Sequence, residues 1–269
     1  MAYFSTFFMQ KHSVLSLFLP LSIAFLTSCE KVLDIDLKDA EPRLIVEANV
    51  SDQPGPHTVQ LSQSVSFNAT NQFPAVSNAL VIISDNAGQR DTLTETSPGN
   101  YQTGNLQGIP GRQYFLQIKV GEELYEASSQ MPQPVAIQKV QIEKFRFNED
   151  EKVTAVYYQD PAGIRNYYRF LLFVNNVPSK NLNLNNDEFQ DGQLMDDTLF
   201  DNDLKLKSGD SVRVLLRNLD EPAFKNFRAQ NQLGNSQVSS PANPESNISN
   251  GALGYFSAHT QSSGSIVVP

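Results

Sequence analysis

Apolar and polar residues alternate along the chain from residue 43 onward, which is the period of a β-strand with one buried face. In the first run, Leu44, Val46, Ala48 and Val50 occupy every second position. Turns rich in Gly, Pro, Asn and Asp separate this run from those that follow. The pattern predicts seven short strands, at residues 43–50, 57–64, 79–84, 90–95, 101–103, 114–120 and 123–130. Such regular spacing is typical of an immunoglobulin-like or transthyretin-like β-sandwich, which we place at residues 43–131.

One aromatic residue and one proline pair define the end of this sandwich. Tyr114 enters a strand just after the turn Pro110-Gly111. We expect its hydroxyl to tie the turn to the strand as a tyrosine corner, which is a structural role. The segment Pro132-Gln133-Pro134 then reads as a short stiff linker and predicts a domain boundary.

A second β-rich domain is predicted at residues 135–269. Its apolar pattern predicts strands at residues 135–147, 153–158 and 167–174, and a hairpin made of residues 199–206 and 211–218. The polar, Asn-rich stretch at residues 175–197 predicts a long loop or edge strands.

One short helix is predicted near residues 221–232. Asp220 can cap its start and Pro222 suits its first turn, while Phe224 and Phe227 lie on one side. A strand at residues 251–258 is rich in small residues, which let another backbone approach closely. The expected fold class is mainly β, with a sandwich followed by a β-rich domain containing one short helix.

The N-terminus has the pattern of a lipoprotein signal peptide, which we place at residues 1–28. A basic Lys11 precedes an apolar run at residues 14–26, which is shorter than the ~20 apolar residues of a membrane-spanning helix. Small Thr27 and Ser28 lead to Cys29, the only cysteine of the chain. We therefore predict that Cys29 is lipidated by a diacylglycerol with acyl chains such as palmitate. The alternative is an ordinary buried cysteine in a signal peptide that is cut elsewhere.

A lipid on Cys29 would leave residues 29–42 as a lipidated tether. The acidic residues of the tether are equally consistent with a sorting signal and with a solvated linker. The net charge of the chain is −9, and it becomes −10 without the signal peptide, which contains only Lys11 among the charged residues. An acidic chain without basic runs argues against binding to nucleic acid or directly to anionic lipid.

The common catalytic motifs are absent from the sequence. The sequence lacks a Gly-x-Ser-x-Gly elbow, a His-Glu-x-x-His motif, a P-loop and a dinucleotide fingerprint. After the signal peptide only His57 and His259 remain, and no sequence feature indicates that they meet. A carboxylate-based hydrolase stays open as an alternative, since paired carboxylates could lie among Asp187, Glu188, Asp191, Asp196 and Asp197. We expect a protein that is not an enzyme and holds no cofactor.

Two acidic segments offer oxygen ligands for calcium. They are Asp201-Asn202-Asp203 and Asn186-Asp187-Glu188. The first fails the spacing of an EF-hand loop, because Lys205 stands where a ligand is needed. We therefore interpret both segments as turns and solvated charge, and predict no metal site.

Several short motifs together resemble a known family. They are Cys29-Glu30-Lys31-Val32-Leu33-Asp34-Ile35, Gln53-Pro54-Gly55-Pro56, Pro110-Gly111 before Tyr114, Asn166-Tyr167-Tyr168-Arg169, and Asn243-Pro244-Glu245-Ser246-Asn247-Ile248 followed by residues 251–256. The chain resembles the Bacteroidota lipoproteins of domain-of-unknown-function family 4249. The resemblance implies an outer-membrane lipoprotein encoded near TonB-dependent receptors, and it carries over only Cys29, as the lipid attachment site.

The expected function follows from this resemblance and from the two β-domains on a tether. We expect a non-catalytic accessory or binding component of a TonB-dependent-receptor-associated uptake or assembly complex, anchored in the outer membrane on its periplasmic or surface face. Its partners would be the membrane, through the lipid on Cys29, and a receptor barrel. A surface lipoprotein that binds a glycan or a peptide is the alternative binding role; the absence of Trp weakens glycan stacking, although Tyr can substitute.

Overall fold

Sixteen β-strands and one α-helix form the regular structure of the residues that are described. The computed structural model describes residues 41–269 except 67, 68, 70, 71, 202 and 235–243. The elements in chain order are β1 (Leu44–Ser51), β2 (Thr58–Gln63), β3 (Leu80–Asp85), β4 (Arg90–Thr92), β5 (Thr94–Ser97), β6 (Asn100–Gln102), β7 (Gln113–Val120), β8 (Glu123–Gln130), β9 (Ile137–Phe145), β10 (Asn148–Gln159), β11 (Tyr167–Val174), β12 (Val177–Pro178), β13 (Asn183–Asn186), β14 (Leu194–Leu199), β15 (Ser211–Leu219), α1 (Glu221–Gly234) and β16 (Leu253–Val267). The predicted mainly β fold class is confirmed.

A nine-stranded sheet contains strands from both halves of the sequence. Its order is β12-β11-β15-β16-β1-β2-β6-β5, and β13 also pairs with β11. Two smaller sheets, β4-β3-β7-β8 and β14-β10-β9, complete the strand pairing. β16 lies at the centre of the large sheet, where it runs parallel to β1 and antiparallel to β15.

The first sandwich forms between β4-β3-β7-β8 and the half of the large sheet that contains β1. Alternate residues of each strand point to one face, so Val46, Val59, Leu116 and Ile118 enter one hydrophobic cluster. The predicted strands of residues 43–131 all appear, but residues 90–95 divide between β4 and β5, which belong to different sheets. The predicted tyrosine corner is confirmed, because the backbone N–H of Ile109 donates to the Tyr114 hydroxyl at 2.7 Å.

The second hydrophobic cluster lies between β14-β10-β9 and the other half of the large sheet. It contains Val156, Phe170, Leu172 and Val214. The predicted hairpin of residues 199–206 and 211–218 is wrong. β14 ends at Leu199 and pairs with β10, whereas β15 pairs with β11 and β16. The apolar positions at 204 and 206 instead pack against the second cluster from an irregular segment.

β16 contributes to both clusters through one set of alternating positions. Phe256 and Ala258 belong to the first cluster, and Ile266 packs against the second. Residues Glu41–Pro269 form one compact unit. The predicted linker is bonded to this strand and its neighbour, because the Gln133 carbonyl accepts hydrogen bonds from Asn218 Nδ2 and Thr260 Oγ1. The boundary at residues 132–134 stays a prediction, since the clusters on its two sides share β16.

The predicted helix is confirmed as α1, on the opposite face of the large sheet. Asp220 caps it, because the backbone N–H of Ala223 donates to Asp220 Oδ1 at 3.2 Å. Phe224 and Phe227 pack with Tyr255 of β16 in a third cluster. Residues on this outer face of β16 have odd numbers, from Tyr255 to Gln261, so the face is distinct from the one that builds the two sandwich cores.

Candidate functional site

A pocket of about 420 Å³ lies between β10, β11 and the segment 199–207. Its apolar walls come from Val153, Leu172, Leu199, Leu204 and Leu206. Such a volume falls in the range of small-molecule sites, which are mostly apolar with a few placed polar groups. The pocket therefore has the size and lining of a ligand site.

A buried hydroxyl stands in the lining of this pocket without a hydrogen-bond partner. Thr154 is 1% exposed, and its Oγ1 has no partner among the described residues. It points inward because it shares a face of β10 with Val156 and Tyr158, which belong to the second cluster. A buried polar atom without a partner costs free energy. A ligand that bonds this hydroxyl would remove that cost.

Charged side chains surround the pocket. Lys152 Nζ donates to the Pro269 carbonyl at 2.6 Å, and Lys205 lies 3.7 Å from Glu151. Both signs of charge are present at the rim, since Asp201 also lines the pocket. Polar ligands of either sign, or neutral ligands with many hydroxyls, can therefore find complementary groups there.

The Asp201 carboxylate accepts several hydrogen bonds from the protein itself. Burial acts to raise its pKa, but hydrogen bonds from the Ser179 hydroxyl and from nearby backbone N–H groups outweigh burial and lower it. The N–H of Asp203 donates to Asp201 Oδ1 at 2.8 Å, which is an Asx turn. This geometry agrees with the interpretation of the segment as a turn; Asn202 lies outside the described residues.

Three phenylalanines form an aromatic group that adjoins the pocket through Phe200. Phe200 lines the pocket and stacks on Phe145, with ring centroids 4.8 Å apart and an interplanar angle of 15°. Phe145 meets Phe147 edge to face at 5.5 Å. The side chain of Phe147 is 77% exposed, at the tip of the β9–β10 hairpin. The pocket thus adjoins an exposed aromatic surface. The sequence does not indicate this surface, because Phe145 and Phe147 lie in the predicted strand 135–147.

Carboxylates from two loops meet at the end of β10. Carboxylate oxygens of Asp160, Asp187 and Asp191 lie within 4.8 Å of one another. Asp187 and Asp191 are among the acids that the sequence indicates as candidates, whereas Asp160, just after the predicted strand 153–158, is not. Glu188 and Asp196 do not join this group, and Asp197 lies elsewhere.

Backbone N–H groups donate hydrogen bonds to these carboxylates. Each of the three accepts a hydrogen bond from the loop opposite its own: Gly192 N to Asp160, Asn166 N to Asp187, and Gly163 N to Asp191. Arg165 also lies 3.3 Å from Asp187. The group therefore joins the two loops, which is a structural role that explains its buried acids.

Asp197 is a half-buried acid among the sequence candidates. It accepts a hydrogen bond from the Tyr158 hydroxyl at 2.7 Å and two from Asn185 Nδ2. Burial raises the pKa of Asp197, although these hydrogen bonds act in the opposite direction. Tyr158 also packs edge to face on Tyr168 at 4.8 Å, and the Tyr168 hydroxyl donates to Asp160. These side chains form a buried polar network within the second core.

The two histidines interact electrostatically, although no sequence feature indicates it. His259 pairs with Ser51 across β1 and β16, and burial together with the charges of Arg217, Arg169 and His57 keeps the pKa of His259 well below its usual value. Its Nδ1 lies 3.3 Å from the Ser257 hydroxyl. Both side chains are at most 2% exposed, so a substrate cannot reach this Ser–His pair as it stands.

Cys29 lies outside the described residues, and its lipidation stays a prediction. Within the described part of the chain, no helix is long and apolar enough to cross a membrane.

Three comparisons place the chain among known proteins. A family model described as "Domain of unknown function (DUF4249)" matches residues 30–265. The comparison with curated proteins found no match. Among solved structures, a DUF4785 family protein from Legionella pneumophila subsp. pneumophila str. Philadelphia 1 is similar at 13% identity and a TM-score of 0.25, over 66% of this chain and 51% of that chain. The chain thus spans about half of that protein, and this TM-score carries no inference about fold or function.

Proposed function

The chain belongs to the family described as Domain of unknown function (DUF4249), and from this premise we propose that it is a non-catalytic, lipid-anchored binding protein of the outer membrane. Its role is that of an accessory component in an uptake or assembly complex with a TonB-dependent receptor barrel. The observation that carries the proposal is the pocket beside β10, whose apolar walls surround the unpartnered hydroxyl of Thr154. Concave sites with this combination are the usual form of a ligand site.

The cargo is a glycan or a peptide. Both ligand classes combine polar groups with apolar faces, and the pocket offers the same combination through its charged rim and its leucine walls. The aromatic group of Phe145, Phe147 and Phe200 supplies a stacking surface beside the pocket. Phenylalanine rings take the stacking role that tyrosine could otherwise fill in a chain without Trp.

Removing the exposed ring of Phe147 tests the cargo site. We expect Phe147→Ala to weaken binding to ligands selected on a glycan or peptide array by about tenfold, because one aromatic contact is worth on the order of 1 kcal/mol. Fluorescence polarisation with a labelled array ligand measures the change. Phe189→Ala is the matched control: this ring is 88% exposed and does not line the pocket. Equal losses in the two variants, or a wild-type protein that binds neither array, would rule out the pocket as the cargo site.

The lipid anchor is tested at Cys29. We expect the wild-type protein to fractionate with outer membranes and Cys29→Ser to appear in the soluble fraction, because a diacylated cysteine supplies the anchoring chains. Immunoblots of separated membranes measure the distribution. A Cys29→Ser protein that stays with the membranes contradicts the anchor.

The receptor partner is tested in native membranes. Crosslinking followed by affinity capture is expected to recover a TonB-dependent barrel together with this protein. Capture from cells that express Cys29→Ser serves as the control, because it separates complexes made at the membrane from those made during extraction. Recovery of the wild-type protein alone, after efficient crosslinking, contradicts the accessory role.

A further inference from the structure

The outer face of the large sheet, opposite the sandwich cores, carries a pair of facing arginines. Arg169 of β11 and Arg217 of β15 are direct cross-strand partners. Directly opposed residues share one face of an antiparallel pair, with Cβ atoms about 5 Å apart. Arg213 lies on the same face of β15, four residues before Arg217, and is exposed. Arg169 and Arg217 therefore carry like charges at facing positions of this face.

Both facing arginines are half-buried, and their partners are neutral. The guanidinium carbon of Arg169 lies 4.0 Å from the centroid of the Phe227 ring. Arg217 Nε donates to Gln261 Oε1 at 3.0 Å. Among the described residues, no carboxylate forms a salt bridge with either side chain. The Tyr255 hydroxyl is a further neutral hydrogen-bond partner of Arg169, and the charge of Glu47 acts on Arg169 without a salt bridge.

No salt bridge among the described residues neutralises this positive charge. Burial and the adjacent charge of Arg169 lower the pKa of Arg217 to about 10, so Arg217 remains charged at neutral pH. Burial also lowers the pKa of Arg169. His259, on the same face of β16, has a pKa well below its usual value because of burial and the arginine charges, and it is neutral at that pH. Like charges on facing positions of a sheet are destabilising. Among the described residues, the pair therefore has no carboxylate in salt-bridge contact.

We propose that Arg169 and Arg217 bind one oxyanion group of a ligand, a carboxylate or a phosphate. Guanidinium groups present fixed forks of N–H donors that match two oxygens of such a group. An oxyanion between the two side chains also removes their mutual repulsion. The site lies on the face opposite the pocket, so it is independent of the proposed function.

Thermal unfolding at constant ionic strength tests the site. Sodium phosphate and sodium acetate are compared with sodium chloride on the full chain without its signal peptide. At an anion concentration about ten times its dissociation constant, we expect the melting temperature to be about 3–6 °C higher than in sodium chloride. A rise with phosphate alone identifies a phosphate site, and a rise with both anions identifies a carboxylate site as well. The same melting temperature in all three salts, up to solubility, overturns the proposal.

Two variants separate the pair from general surface charge. We expect Arg217→Gln to lose the rise caused by the oxyanion and to be no less stable than the wild type in chloride, because the repulsion is gone. Arg213→Gln is the matched control, since Arg213 also stacks on an aromatic ring, at 4.1 Å from Phe173, but has no facing arginine. It is expected to keep the full rise. Equal loss in both variants overturns the proposal.

A charge-conserving variant covers the case in which Arg217→Gln fails to fold. Arg217→Lys keeps the charge but loses the planar fork, so we expect the dissociation constant for the oxyanion to rise about tenfold. Isothermal titration with phosphate measures it. An unchanged dissociation constant in Arg217→Lys contradicts recognition by paired forks.

Discussion

At the scale of single residues, Asp220 joins three elements through one buried carboxylate. Ser129 of β8 donates its hydroxyl to Asp220 Oδ2 at 2.7 Å, and the same hydroxyl accepts the N–H of Ala258 of β16 at 2.8 Å. Asp220 Oδ1 caps α1 through the N–H of Ala223. Burial raises the pKa of Asp220 to about 6, although these hydrogen bonds act against it. The carboxylate is thus a structural group whose charge is costly in the folded state.

Replacing Asp220 by Asn removes that cost without removing the cap. The pKa of Asp220 is about 6 in the folded state and 3.8 in the unfolded chain. Protonation of Asp220 therefore stabilises the fold fully below pH 3.8, and this stabilisation is lost as the pH rises through about 6. Relative to Asp220→Asn, we expect the wild type to lose on the order of 2–3 kcal/mol of unfolding free energy between about pH 4 and pH 7. Urea unfolding of both proteins at the two pH values measures the difference. A difference that does not change with pH contradicts the raised pKa.

At the scale of elements, close backbone approach allows β16 to pair with β1. Gly254 has φ +94°, and a Cβ atom there would lie 2.0 Å from the Val46 carbonyl oxygen. The two strands pair in parallel from Ile45 and Leu253 onward. The small residues that the sequence showed at 251–258 thus have the predicted role, since a side chain at this position would force the strands apart.

Gly254→Ala is expected to destabilise the protein by more than about 3 kcal/mol, because steric overlap with backbone adds to the strain of a positive φ. Guanidinium unfolding followed by circular dichroism measures it. Gly209→Ala is the matched control, with φ +92° and nothing within 4 Å of its Cβ position; its cost is expected to be about 1–2 kcal/mol, from backbone strain alone. Equal costs at the two positions would show that contact with Val46 is unimportant.

At the scale of the whole molecule, one strand connects two hydrophobic cores. Phe256 is fully buried in the first core, whereas Ile266 packs against the second, and both belong to β16. The loss of order in either core therefore removes pairing partners or packing surface from the other. We expect both sandwiches to unfold together, in one cooperative transition.

Phe256→Ala tests this coupling. A cavity left by Phe in a core costs about 3–5 kcal/mol, and we expect one transition at a lower temperature rather than the appearance of two. Calorimetry compares the measured enthalpy with the van't Hoff enthalpy, and tyrosine fluorescence provides a second probe. Phe189→Ala, at a side chain 88% exposed, is expected to leave the melting temperature unchanged. Two separated transitions in Phe256→Ala contradict cooperative unfolding.

Local features were readable from the sequence because they depend on near neighbours. Alternation placed β1 and β2, a continuous apolar run placed β3, and Asp220 with Pro222 located the start of α1. The tyrosine corner at Tyr114 also follows from a turn and a strand that are adjacent in the chain. Each of these signals lies within a few residues, where steric preferences and hydrogen bonds act without the rest of the fold.

Strand pairing and the sites were decided only by the tertiary structure. A period of two identifies a strand but not its partner, so the sequence joined residues 199–206 to β15, whereas β14 pairs with β10. Asp160 meets Asp187, and Arg169 faces Arg217, because of pairings between distant segments. Such pairings are chosen by the burial of whole faces and by the hydrogen bonds of complete sheets. The free energies of this burial and of these hydrogen bonds sum over the whole folded chain, so no single stretch of sequence contains them.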